Sequence, residues 1–192
     1  CRRYDYVTLV GQGADISPET IQAAKKLLKP HGVLIAAVPN ALGMKYFAGT
    51  TPEPNSLTRS QVERLFMEPE EQGVPEKEAA LPAEGFGRDS ALRFFYPMPD
   101  YRTPITIYSD DYLPKKGDLT KTMYAYDYPR YHTMDMGERF DLVCGEGMFA
   151  QYANSYLVFW SRDREKLYPE ENRIFIKYNK TRKEAFQIRT CI

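Results

Sequence analysis

The chain has 192 residues, with 26 basic and 26 acidic side chains, 43% hydrophobic and 14% aromatic residues, a composition that excludes disordered, collagenous and membrane-spanning polypeptides. Zero formal charge and a pI near 6.9 remove the electrostatic footprint of a nonspecific nucleic-acid or anionic-membrane binder. Three cysteines (Cys1, Cys144, Cys191) lie far apart without CxxC spacing, so no disulfide framework and no metal site is expected, and a reducing cytoplasm is the expected setting.

Cys1-Arg2-Arg3-Tyr4-Asp5 leads straight into an apolar run at residues 6–10, too short for a membrane helix or a targeting core. With residues 187–192 alternating like a strand and no tail behind them, both ends are expected to be cut from a larger protein. The run 6–10 reads as a buried strand closed by Gly11-Gln12-Gly13. Ser17 is a helix N-cap, Pro18 occupies the first helical position, and Ile21, Ala24, Leu27 and Leu28 recur at helical spacing until Pro30. Residues 33–38 are apolar without interruption, as in a strand covered on both faces. Strand, helix and strand form one βαβ unit.

Residues 39–54 read as a loop, residues 60–66 as a short helix capped by Thr58 or Ser56, and the acidic stretch 68–84 as an exposed loop with a helical turn. Residues 91–96 and 151–160 are further strands, and residues 173–178 with 186–192 form a hairpin around Asn179-Lys180. The expected sheet is short and mostly parallel, built from 6–10, 33–38 and 91–96, with 151–160 as an antiparallel member. Residues 1–165 are expected to form one domain part, with 166–192 a linker and hairpin leading into a following module.

Tyr4-Asp5-Tyr6-Val7, the helix ending Leu27-Leu28-Lys29-Pro30-His31-Gly32 and the strand Val33-Leu34-Ile35-Ala36 resemble the second half of a class I S-adenosylmethionine-dependent methyltransferase. Pro39-Asn40-Ala41-Leu42-Gly43-Met44-Lys45-Tyr46, Tyr96-Pro97-Met98-Pro99-Asp100-Tyr101 and Ala153-Asn154-Ser155-Tyr156 resemble a bacterial subgroup tied to cell-surface glycan synthesis and fused glycosyltransferases. The resemblance implies an α/β fold, a partial Rossmann-like methyltransferase sheet (strands four to seven) with a tyrosine-rich insertion and a terminal hairpin. It also implies a missing N-terminal half that carries the glycine turn and the ribose-binding acid for S-adenosylmethionine. Neither element precedes Tyr4, so this chain alone is expected to bind the cofactor weakly or not at all. Gly11 and Gln12 are the only candidate cofactor turn, and the residues after them do not complete GxGxxG. His31 stands where the family motif has glycine, so a strained left-handed turn is expected there.

Asp100 and Tyr101 lie between prolines beyond a strand; Asp100 could accept a proton from a sugar hydroxyl and Tyr101 could pack on a sugar ring, or Pro-Asp-Tyr could be a rigid turn whose Asp caps amides. Asp110 and Asp111 are a carboxylate pair or an ordinary turn. Asn40 and Tyr46 lie where an acceptor enters, or serve as a structural turn and a packed ring. His132 is a candidate general base or a solvated loop histidine. The tyrosines from Tyr96 to Tyr131, Tyr108 among them, could stack sugars or close an interface.

The leading expectation is a methyltransferase portion acting on a hydroxyl of a cell-surface glycan precursor and incomplete for catalysis by itself. The alternative is a noncatalytic glycan-binding or docking module. Expected partners are the glycan acceptor, the missing N-terminal half, a following module and a second copy paired through the 6–10 edge unless the terminal hairpin covers it. Neither nucleic acid nor a membrane span is expected.

Overall fold

The computed structural model describes residues 4–10, 16–67, 91–120, 133–169, 173–178 and 183–192. Strand β1 (Tyr4–Leu9) is followed by helix α1 (Pro18–Leu27) and strand β2 (Leu28–Pro39). The Ser17 side chain accepts from the Thr20 amide, and Pro18 sits in the first turn, so the cap signals in the sequence mark the start of α1. The helix ends earlier than expected, at Leu27, and Pro30 lies inside β2. That strand absorbs Pro30, His31 and Gly32 through an irregularity, since Tyr4 pairs with Leu28 while Tyr6 already pairs with Val33. His31 therefore needs no left-handed backbone; Asn55 is the single non-glycine residue with positive φ among those described.

The loop after β2 contains the helical turn α2 (Met44–Phe47) and leads to α3 (Arg59–Met67). Thr58 Oγ1 accepts from the Gln61 amide, and Gln61 Oε1 accepts from the Thr58 amide, a reciprocal capping box that starts α3. Next come β3 (Ala91–Met98), β4 (Thr106–Ser109), α4 (Met136–Gly145), α5 (Phe149–Tyr152), β5 (Ser155–Ser161) and α6 (Arg164–Leu167). Strands β6 (Ile176–Tyr178) and β7 (Arg189–Cys191) form the terminal hairpin. The sequence reading missed β4 and α4, and it took the α5 turn as the beginning of β5. The expected acidic loop at 68–84 falls outside the described residues.

The protein is α/β, with one seven-stranded mixed sheet in the order β1-β2-β5-β3-β4-β6-β7. The expectation of a mostly parallel sheet is corrected: β1 and β2 are parallel, and every other adjacent pair is antiparallel. Strands β2 and β3 do run in the same direction, but the reversed β5 lies between them and turns one parallel contact into two antiparallel ones. The hairpin extends the far edge through β4 and so does not pair with β1, which has β2 as its one described strand neighbour.

One face carries the main core. The aligned row Ala36, Val158 and Phe94 and its neighbours Leu34, Trp160, Tyr156 and Tyr96 are buried under α1, α3, α4 and α5, with Ile21, Val62, Phe66, Phe140 and Phe149 packed above them. The second face carries Val33, Ile35, Ala91, Phe95 and Phe159, and its described cover is the four-residue α6, whose Leu167 is buried against Val33 and Ala91. No described helix is long and apolar enough to cross a membrane.

Candidate functional site

The strand ends of β2 and β3 and the start of β5 meet at one end of the sheet, and two buried asparagines tie them together. Asn40 Nδ2 donates to the carbonyls of Gln151 and Ala153, both at 2.7 Å, and its Oδ1 accepts from the Leu42 amide at 3.0 Å. Asn154 Nδ2 donates to the Pro99 carbonyl at 3.0 Å, while its Oδ1 accepts from the Lys45 amide at 2.8 Å. Ser155 Oγ accepts from the Tyr101 amide at 3.0 Å. Gly43 is held so closely that a Cβ there would lie 3.0 Å from the Asn40 carbonyl oxygen and 3.1 Å from that of Asn154. The close approach, not a positive φ, favours glycine here, since a side chain would require this backbone to shift by a few tenths of an ångström.

Into this frame α2 projects Lys45, whose side chain is 1% exposed. Its ammonium donates to Asp100 Oδ2 at 2.8 Å and to Glu53 Oε1, and Arg102 engages the other Glu53 oxygen. Asp100 is fully buried, and its Oδ1 accepts from the Arg102 amide at 3.1 Å, so it caps the turn as well as pairing with Lys45. The four charges balance: two cations, two carboxylates. Burial by itself would lower the Lys45 pKa, yet the charge and hydrogen bond of Asp100 and the hydrogen bond of Glu53 outweigh it, so the value rises and the ammonium form is fixed. Burial also raises the Tyr46 phenol, opposed by the Lys45 charge. The Tyr46 and Tyr101 rings lie 5.1 Å from the Lys45 ammonium and 5.3 Å from the Arg102 guanidinium.

A second cluster joins α3 to β3 and the turn after β4. The Arg59 guanidinium grips Asp110 with two bonds of 2.9 and 3.1 Å, donates from Nε to Glu63 at 2.8 Å and stacks on Phe94 at 4.6 Å. The Tyr96 hydroxyl donates to Asp110 Oδ1 at 2.5 Å and also meets Arg59. Burial and the adjacent Asp110 charge push the Tyr96 phenol far above its ordinary range. Beside this cluster a cavity of about 360 Å³ is lined by Leu42, Thr58, Arg59, Ser60, Glu63 and Gln151.

Asn40, Tyr46, Asp100 and Tyr101, chosen from the sequence, thus gather at one sheet end. Tyr108 does not join them: it is buried in the core against Phe149 and Phe175. Asp111 pairs with Arg93 at 3.2 Å, apart from Asp110. Gly11, Gln12 and His132 lie outside the described residues. Sequence reasoning missed Lys45, Glu53, Arg59, Arg102 and Asn154. Lys45 carried one legible signal, a single charge inside Leu42-Gly43-Met44-Lys45-Tyr46-Phe47, where a lysine is buried only with a partner.

Among the described residues no group of three or more His, Cys, Asp or Glu side chains is placed to hold a metal ion. The described turns at the strand ends, 40–43 and 99–102, are held by the asparagines and the Lys45 cluster. No family model, no curated protein and no solved structure matches the chain.

Proposed function

We propose that the chain is the carboxyl-terminal part of a class I S-adenosylmethionine-dependent methyltransferase domain and supplies its acceptor side, taking a hydroxyl-bearing precursor of a cell-surface glycan. The observation that carries this reading is the cavity beyond the carboxyl end of β2, where Thr58, Arg59, Ser60, Glu63 and Gln151 line one space with Leu42. Planar and hydroxyl hydrogen-bonding groups around a small cavity suit a polyol, and open α/β sheets bind ligands beyond the carboxyl ends of their strands. The parallel β1 and β2 joined by α1, with a reversed strand from the 151–160 region, agree with the fourth to seventh strands of the family it resembles.

In this reading Glu63 is the carboxylate that faces the acceptor hydroxyl. Its side chain is 47% exposed and Arg59 Nε orients it, whereas Asp100 is enclosed by Lys45 and the Arg102 amide and acts by positioning the loop. Cofactor chemistry belongs to the parent protein, in the cytoplasm. Labelled methyl transfer to saccharide acceptors tests the reading. The parent gene product is expected to transfer the label, and Glu63→Gln to reduce transfer by ~10²-fold or more if Glu63 takes the proton. This chain alone is expected to show no S-adenosylmethionine binding near the low micromolar range, about −8 kcal/mol, in calorimetry. A parent without an upstream glycine turn and without transfer overturns the proposal. Saccharide binding by such a parent would instead mark a noncatalytic glycan-binding module.

A further inference from the structure

The second face of the sheet holds a groove of about 790 Å³ that runs from Tyr6 on β1 to Ile192 beyond β7. Its floor is apolar: Phe95 and Phe159 meet edge to face at 5.1 Å, and both are only partly buried. Tyr6 is 60% and Ile192 50% exposed. Two cations, Lys166 and Arg173, stand exposed on its walls and form no ion pair among the described residues. A third, Arg93, is buried and donates to the Leu167 carbonyl at 3.0 Å and to Asp111. Among the described residues no Asp or Glu side chain lines the groove.

Strands that are apolar on both faces require cover on both, and in α/β packing that cover is helical. Among the described residues the first face has its helices, and the second has the single turn of α6. An added strand cannot occupy this floor, because the backbone groups of β2, β5 and β3 are already paired with one another. An occupant must therefore present side chains, an apolar stripe against Phe95 and Phe159 and negative charge toward Lys166 and Arg173.

We propose that this face is a docking groove for an amphipathic helix of a partner protein, with Asp and Glu along the flanks of its apolar stripe. This inference uses neither the strand-end cavity nor a cofactor.

Two labelled synthetic helical peptides with the same leucine stripe, one flanked by glutamate and one by lysine, test it by fluorescence anisotropy with the full chain. The glutamate-flanked peptide is expected to bind about tenfold tighter at low salt, and the difference to shrink as salt rises. Lys166→Glu with Arg173→Glu is expected to reverse the preference; both side chains are exposed, and an unchanged thermal transition verifies the fold. Tyr6→Ser is expected to weaken both peptides without altering the preference between them. Equal binding of the two peptides, or a preference that survives the double reversal, overturns the proposal. So does saturable binding of anilinonaphthalene sulfonate at this face with no binding of either peptide, which would assign the groove to a small amphiphilic anion.

Discussion

The two charged clusters use the same side-chain chemistry at different depths. The Lys45 cluster is sealed: Lys45 and Asp100 are 1% and 0% exposed, and Glu53 is 14% exposed. The Arg59 cluster opens to solvent, with Asp110 and Glu63 at 40% and 47%. A buried charge that loses its partner keeps its full desolvation cost, whereas water compensates an exposed one. The first cluster therefore controls whether the loops at the strand ends hold their shape. The second can yield to a ligand at modest cost, which suits its place beside the cavity.

The largest expected effect follows from stranding Asp100. Lys45→Met should destabilise the fold by about 3–5 kcal/mol in denaturant unfolding, and Lys45→Met with Asp100→Leu should regain most of that loss. If the double variant is no more stable than the single, the two charges are not coupled and the contrast in depth fails.

Alkaline titration sharpens the same contrast. Lys45 has its folded pKa raised above 10.5, so its contribution is complete below 10.5 and is lost as pH rises through the folded value. Tyr96 and Tyr156, raised above 10.0 chiefly by burial, act with the same sign. Stability should therefore fall above about pH 10, with these phenols ionising only as the protein unfolds. Ultraviolet absorbance that shows every tyrosine ionising in the native state, near the ordinary value, would break this expectation.

A smaller loss is expected for Asp110→Asn, at most about 1 kcal/mol, because the pair is partly solvated and Tyr96 can still donate to the amide oxygen. A loss as large as that of Lys45→Met would erase the distinction between the clusters. The smallest effect belongs to the exposed pair of His31 and Asp163, 2.7 Å apart. The hydrogen bond from His31 lowers the Asp163 pKa below 3.8, so its contribution is present above 3.8 and disappears as pH falls through the folded value. Asp163→Asn preserves an acceptor for the Glu165 amide, so any stability difference from the parent protein should vanish on acidification. A difference that persists in acid would mean that the charge pair is not its source.

Local chemistry made much of the framework legible in the sequence. Ser17-Pro18 set the start of α1, Thr58 and Gln61 set that of α3, and the apolar run 33–38 marked the heart of β2, because caps and periodicity act over a few residues. The convergence of Asn40, Tyr46, Asp100 and Tyr101 was legible only as separate loop residues beyond strands. The bond from Lys45 to Asp100 spans 55 positions and that from Arg59 to Asp110 spans 51, and no local pattern encodes such a pairing.

What the sequence determined by itself was the α/β character, the helix caps and the apolar strands, since each depends on neighbours along the chain. Only the tertiary structure decided that β5 runs between β2 and β3, that Tyr108 belongs to the core, that Asp100 is held by a buried lysine and that, among the described residues, one face of the sheet has α6 alone as helical cover. Those outcomes depend on which distant surfaces bury one another, and burial sets both the strand order and the cost of every charge placed within it.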